Sequence, residues 1–193
     1  MKNNLIPSQK IILASKSPRR QQLLKELGWD FTIMTKNIDE SFPENLKREE
    51  VALYLCEHKA NAFKGEIPDN ALLITADTIV CVDDMIINKP EDENDARRML
   101  NILSGRQHDV YTGVCISSNE KAVTFAVRSS VYFKKLSDEE IDFYIKNYHP
   151  YDKAGAYGVQ EWIGFIAIEK IDGSYYNVMG LPVKELYENI LKF

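Results

Sequence analysis

The stretch Ile11-Ile-Leu-Ala-Ser-Lys-Ser-Pro-Arg-Arg20 runs a short apolar strand straight into a helix. Ser17 is a favourable N-cap. Pro18 fits the first helical position, where a missing N–H costs nothing. Leu23, Leu24 and Leu27 then mark one helical face, and Gly28 supplies a C′ stop. The first turn of a helix carries unpaired N–H groups and the positive end of the dipole, which favour acids. Here the turn holds Arg19 and Arg20. Two cations there oppose the dipole unless an anion lies between them. A phosphate gripped by amides, the Ser15 and Ser17 hydroxyls and the guanidinium forks resolves the conflict. Two solvated arginines on an ordinary helix are the alternative.

Outward from this corner, strands and helices alternate. Phe31–Met34 reads as a strand and Lys36–Leu46 as a polar loop holding Glu40. A helix is expected from about Lys47 to Phe63. Leu72–Val82 is a strand turning at Asp83-Asp84 into Met85–Ile87. A helix over Asp92–Leu103 precedes a long hairpin, His108–Ser117 and Lys121–Lys135, turning at Asn119-Glu120. Ser137-Asp-Glu-Glu140 is a capping-box pattern opening a helix to about Asn147. Tyr148–Gln160 reads as a Gly- and Tyr-rich loop, Phe165–Ile171 as a strand turning at Asp172-Gly173, and Pro182–Leu191 as the last helix. Because several strands pair as hairpins, the pattern implies an α/β fold with a mixed sheet flanked by helices.

The chain has 193 residues, 45% of them hydrophobic and 27% charged, which suits a single domain over 1–193 with its own core. A formal net charge of −5 argues against binding nucleic-acid polymers, but not against a small polyanion held by local cations. Clustering of Arg19, Arg20, Lys59 and Lys89 in space would make such a device. Cys56, Cys81 and Cys115 form no C-x-x-C pair and sit in apolar settings, as small buried hydrophobes do. Residues 1–4 lack an apolar signal-peptide core, and no apolar run approaches the ~20 residues of a membrane span. A cytoplasmic protein that does not enter membranes is expected.

Several residues stand out chemically. In Leu72-Leu-Ile-Thr-Ala-Asp-Thr-Ile-Val80, Asp77 is the one charge inside an apolar strand. A carboxylate there must be paired, ligate a metal, act as a base, or cap a neighbouring turn. Pro90 fixes the direction in which Lys89 leaves its strand. Lys59 falls on the second helix; it, Lys89 and Glu40 read equally as solvated charges. In Tyr151-Asp-Lys-Ala-Gly-Ala-Tyr-Gly-Val-Gln160 two closely spaced glycines allow backbone to approach a ligand. Tyr157 is placed to stack on a base and Gln160 to bond a base edge, unless the loop is an ordinary surface one. No Walker or dinucleotide glycine motif, no zinc spacing among the histidines and no G-x-S-x-G elbow occurs.

Together, Ala14-Ser-Lys-Ser-Pro-Arg-Arg20, Ala76-Asp-Thr78, Asn88-Lys-Pro90, Ser104-Gly-Arg-Gln-His108 with Thr112-Gly-Val114, and Asp152-Lys-Ala-Gly-Ala-Tyr-Gly-Val-Gln160 resemble the Maf family. Those proteins are nucleoside triphosphate pyrophosphatases, also called septum-formation inhibitors. The resemblance implies an elongated mixed sheet with a cleft between two lobes, similar to the inosine triphosphate pyrophosphatase (Maf/Ham1) fold. It implies cleavage of a nucleotide between its α- and β-phosphates with a divalent cation, Mg or Mn. By match of motif, Asp77 takes the proton acceptor's place. Arg19, Thr78 and Gln160 fall on substrate-selecting positions, and Ser15, Arg20, Glu40, Lys59 and Lys89 on further cleft positions.

The Arg19/Thr78/Gln160 combination looks like the subgroup acting on dTTP and UTP. A 7-methyl-GTP or other modified-nucleotide pyrophosphatase, and a non-catalytic nucleotide-sensing regulator of cell division, remain as alternatives. A metal held by Glu40 and Asp77, or by one of them with substrate oxygens, suits Mg²⁺. The resemblance also admits a homodimer. It leaves open whether the cell uses the protein to clean nucleotide pools, to arrest division or for both. One departure is visible: where many members continue Gln-Gly, here Gln160 is followed by Glu161-Trp162-Ile163.

Overall fold

A computed structural model describes residues 7–193. The stretch 1–4, read as lacking a signal-peptide core, lies outside the described residues. The described residues open with strand β1 (Lys10–Leu13), helix α1 (Pro18–Glu26), strand β2 (Phe31–Ile33) and helix α2 (Glu49–Asn61). Strand β3 (Ala71–Val82) follows, turning into β4 (Met85–Ile87), and then helix α3 (Glu93–Leu103). Strands β5 (Gln107–Ser117) and β6 (Ala122–Phe133) form the long hairpin, and helix α4 (Asp138–Tyr148) comes after them. Beyond the Tyr/Gly loop lie helix α5 (Trp162–Ala167), strand β7 (Ile168–Asp172) and helices α6 (Tyr175–Met179) and α7 (Val183–Lys192).

The sheet is mixed, as the hairpin pattern implies. Its order is β2-β1-β3-β5-β6-β7, with β4 pairing β3. Strand β1 runs parallel to both β2 and β3, with Ile11 opposite Phe31 and Leu72. Those parallel links follow from α1 and α2, since parallel neighbours need a crossover. β4 is antiparallel to β3, and β7 to β6. Every residue of β3 is buried except Thr78, which is half-buried. A strand covered on both faces reads as a continuous apolar run, which is why Asp77 is so conspicuous in it. Helix α2 lies hard against the sheet: a Cβ on Gly113 of β5 would come within 2.2 Å of the Ala52 carbonyl oxygen.

Two compact units are distinguished. The first comprises the residues up to Asp77, Thr112–Val127 and Gly180–Phe193, and the second Thr78–Tyr111 and Arg128–Met179. In the first, Ile12, Phe63, Ile67, Ala71 and Leu73 pack together, and Cys56 and Cys115 meet beside Ala60. Burial pushes both of those thiols up, so they are neutral, small and apolar in character. In the second, Val80, Leu100, Leu103, Phe133, Ile141 and Tyr157 belong to one core.

Two expectations need correction. Phe165–Ala167 is not strand: α5 occupies Trp162–Ala167 and β7 starts only at Ile168. The run Trp162-Ile-Gly-Phe-Ile-Ala is too short for its periodicity to separate helix from strand. Helix α6 is likewise absent from the sequence reading. Nor is Tyr157 placed to stack on a base. It is 6% exposed, meets Phe133 and His108 edge to face, and shares a 2.8 Å hydrogen bond with His108 Nε2. The glycines around it serve internal packing, since a Cβ on Gly155 would press on the Val80 methyls at 3.1 Å.

His108 is 2% exposed, and its Nδ1 has no hydrogen-bond partner. Burial pushes its imidazole down to about 4, with Asp109 pulling weakly the other way. The folded state therefore resists protonation that the unfolded chain accepts near its ordinary value of 6.5. This site's contribution is complete above pH 6.5 and is lost as pH falls toward 4, up to about 3 kcal/mol. Urea unfolding of wild type and His108→Gln across that window checks this. The slope of stability against pH should flatten in the variant, and equal slopes would contradict it.

Candidate functional site

The expected local structure at the opening corner is present. The Ser17 hydroxyl caps α1 by accepting from the Arg20 amide at 3.5 Å, Pro18 is the first helical residue, and no acid occupies the first turn. Ser15 is buried, and its hydroxyl oxygen accepts from the Ser17 amide at 3.2 Å. The serine oxygens thus satisfy amides that were expected to face a ligand, while each hydroxyl keeps a proton to donate. Arg20 is half-buried, and its Nε donates to the Gly180 carbonyl at 2.7 Å. Burial lowers its pKa; Arg19 pushes the same way, while Asp77 and Glu40 push back. Such a guanidinium gains from any additional anion.

Asp77, Lys59 and Glu40 converge. The Lys59 ammonium donates to Asp77 Oδ1 and, at 2.7 Å, to Glu40 Oε1. The Lys59 and Asp77 side chains are 13% and 12% exposed, whereas Glu40 lies open to water at 44%. The pair is therefore sheltered enough for charge to act strongly, with one side reached by solvent.

Thr75, which the sequence reading passed over, sets this register. Its hydroxyl donates to the Cys56 carbonyl at 2.7 Å in a fully buried contact. Asp77 lies two residues along β3 from Thr75, and Lys59 lies three along α2 from Cys56. Strand period and helix period together bring the second pair to meet once the first is bonded. A polar residue two before a lone strand acid was the available signal. The Glu40 loop is tied down as well. Lys36 Nζ donates to the Ala62 carbonyl at 2.6 Å and pairs with Glu66, while Lys16 Nζ donates to Asn37 Oδ1 at 3.3 Å.

The remaining candidates belong to the second unit. Thr78 follows Asp77 on β3. Lys89 is exposed beside the buried Pro90 and lines a cavity of about 550 Å³ with Asn88, Glu91, Asp92 and Arg98. The Tyr/Gly loop docks next to it through Gly155 N–H donating to the Asn88 carbonyl at 3.1 Å. Gln160 is half-buried, with its amide oxygen buried and lacking a hydrogen-bond partner. Next to it, Glu161 pairs with Lys153 and accepts from the Tyr144 hydroxyl.

Whether a divalent cation suits these residues is decided by the donor set. Glu40 and Asp77 already converge on one positive charge, that of Lys59. Among the described residues no group of three or more His, Cys, Asp or Glu side chains is arranged to hold a metal. Two hard carboxylates fit Mg²⁺ or Mn²⁺ only if ligand oxygens and water complete the shell. No helix among the described residues is long and apolar enough to cross a membrane.

The model of the family described as Maf-like protein matches residues 10–193. A protein of Porphyromonas gingivalis W83 named dTTP/UTP pyrophosphatase is 53% identical over 187 residues, covering 95% of this chain and 94% of its own. One of Parabacteroides distasonis with the same name is 51% identical over 185 residues, 95% of this chain and 96% of its own. Among solved structures, the Staphylococcus aureus Ham1 protein overlays 65% of this chain and 72% of its own, at a TM-score of 0.44 and 15% identity.

Thr75→Val keeps shape and removes the donor. It should cost about 1 kcal/mol in urea unfolding. An unchanged midpoint would mean that the hydroxyl does not anchor β3 to α2.

Proposed function

The chain belongs to the Maf-like protein family, and we propose that it hydrolyses dTTP and UTP to the nucleoside monophosphate and pyrophosphate in a metal-dependent reaction. The observation that carries this reading is the sheltered Asp77 held by Lys59 beside the arginine-bearing start of α1. The relatives named dTTP/UTP pyrophosphatase, each about half identical over nearly the whole chain, support the same substrates. Three buried thiols suit a cytoplasmic setting.

In the proposed reaction a water oxygen bonds to the α-phosphorus while the bond from that phosphorus to the bridging oxygen breaks. Pyrophosphate leaves with the electron pair, and Asp77 takes the water's proton. Water has a pKa of about 15.7 and a free aspartate about 3.9, so the carboxylate accepts that proton only as the new bond forms. The Lys59 ammonium holds the Asp77 carboxylate in place and offers charge to the phosphate chain as it builds up. Arg19, Arg20 and the Ser15 hydroxyl grip the phosphates and fix the line of attack. Glu40 and Asp77 would hold the divalent cation, which supplies positive charge against the phosphate oxygens. Thr78, Lys89 and Gln160 are taken to contact the nucleotide, on the resemblance of their motifs to those of the family.

The test is a nucleotide panel with Mg²⁺ or Mn²⁺, scored for pyrophosphate and orthophosphate. Pyrophosphate release should be greatest on dTTP and UTP and should vanish with EDTA. Asp77→Asn should lower kcat about 10²–10⁴-fold with its fold intact by circular dichroism. Orthophosphate as the first product would overturn the assignment of the broken bond, and normal turnover in Asp77→Asn would remove that residue from the chemistry.

A further inference from the structure

We propose that Glu161, clamped by Tyr144 and Lys153, is a positioning residue that presents the Gln160 amide oxygen to the N3–H of uracil or thymine and thereby discriminates against cytosine. The inference rests on the pyrimidine reading above.

The segment Gly158–Glu161 is fastened at both ends. The Gly158 amide donates to the Tyr144 hydroxyl at 3.0 Å, and the Glu161 amide donates to the Gly158 carbonyl at 3.0 Å. The Tyr144 hydroxyl in turn donates to Glu161 Oε2. Lys153 Nζ lies 3.1 Å from Glu161 Oε1 and 2.6 Å from Asp152. Burial and the neighbouring Glu161 push the Tyr144 phenol far up, so it keeps the proton it donates. The carboxylate rests on Gly158, where a Cβ would come within 2.7 Å of Glu161 Cδ. A side chain at 158 would push this carboxylate from its present position.

Such a clamp is costly. The Lys153 side chain is 8% exposed and that of Glu161 20%, so an ion pair has been taken largely out of water. A buried pair of this kind is commonly no more stabilising than apolar residues of the same volume. Its place in the fold suggests what it gives in return. Gln160, between the two fastened ends, carries a buried amide oxygen with no partner. Leaving such an acceptor empty is unfavourable, and a ligand N–H would recover the loss. An amide reads uracil and cytosine differently only if it cannot turn over, because its oxygen and nitrogen can exchange places. Uracil and thymine offer a donor at N3; cytosine offers an acceptor there. A Gln160 fixed with its oxygen toward N3 accepts the first pair and opposes the third.

Steady-state kinetics on UTP and CTP tests this. Wild type should favour UTP. Glu161→Ala should reduce the UTP-to-CTP ratio of kcat/KM by about tenfold or more, chiefly through a higher KM for UTP, as expected when a polar match is loosened. Glu161→Gln, which keeps an acceptor for Tyr144, should restore part of the ratio. A purely structural role would depress both substrates alike and leave the ratio unchanged, and that result overturns the inference. Should Glu161→Ala fail to fold, Tyr144→Phe removes the shared hydroxyl at nearly constant volume and should lower the ratio; an unchanged ratio there is equally fatal. If wild type releases no pyrophosphate from UTP, the proposed function has failed. If it does and neither variant alters the ratio, only the positioning role has failed.

Discussion

The ammonium of Lys59 holds two carboxylates, Asp77 on a central strand and Glu40 on a loop, and the surrounding architecture serves that contact. An acid in the middle of a doubly covered strand is tolerated only with a partner. The partner must come from a helix lying close on the sheet, which Gly113 permits by letting the Ala52 backbone approach. The helix must also be held at one register along the strand, which the Thr75 hydroxyl does through the Cys56 carbonyl. Glu40 reaches the same ammonium because Lys36 ties the start of its loop to the end of α2.

Charge at this place is set for an anionic visitor. Arg19 and Arg20 occupy a helix start that ordinarily favours acids, and Arg20 is partly stripped of water while Asp77 and Glu40 offset its charge. Lys59 and Arg20 share the field of the two carboxylates, and Arg19 adds its charge next to Arg20. Under the proposed function, a triphosphate with its divalent cation would satisfy both sets, the phosphates taking the arginines and the cation taking the acids.

Much of this was legible beforehand, for identifiable reasons. The βα corner announced itself because Ser17, Pro18 and Gly28 each have a specific positional meaning. Asp77 stood out because β3 is apolar on both faces. Lys59 and Glu40, in contrast, looked like any solvated charges. Only tertiary packing joins them to Asp77, and family resemblance supplied what local sequence did not. Tyr157 misled because a tyrosine among glycines suggests an exposed platform, whereas the chain turns it inward against Phe133 and His108. Glu161 departs from the glycine of many family members, yet its partner Tyr144 lies 17 residues away on α4, beyond what local sequence shows. Helix α5 is not legible in the sequence because six residues show too little periodicity.

The most direct test of the central contact is a double-mutant cycle on kcat/KM with Asp77→Asn, Lys59→Met and the two combined. If Lys59 acts largely through Asp77, the penalties will not add, and the double variant will fall within about threefold of Asp77→Asn alone. Penalties that multiply in full would show the two residues working independently and would contradict the account.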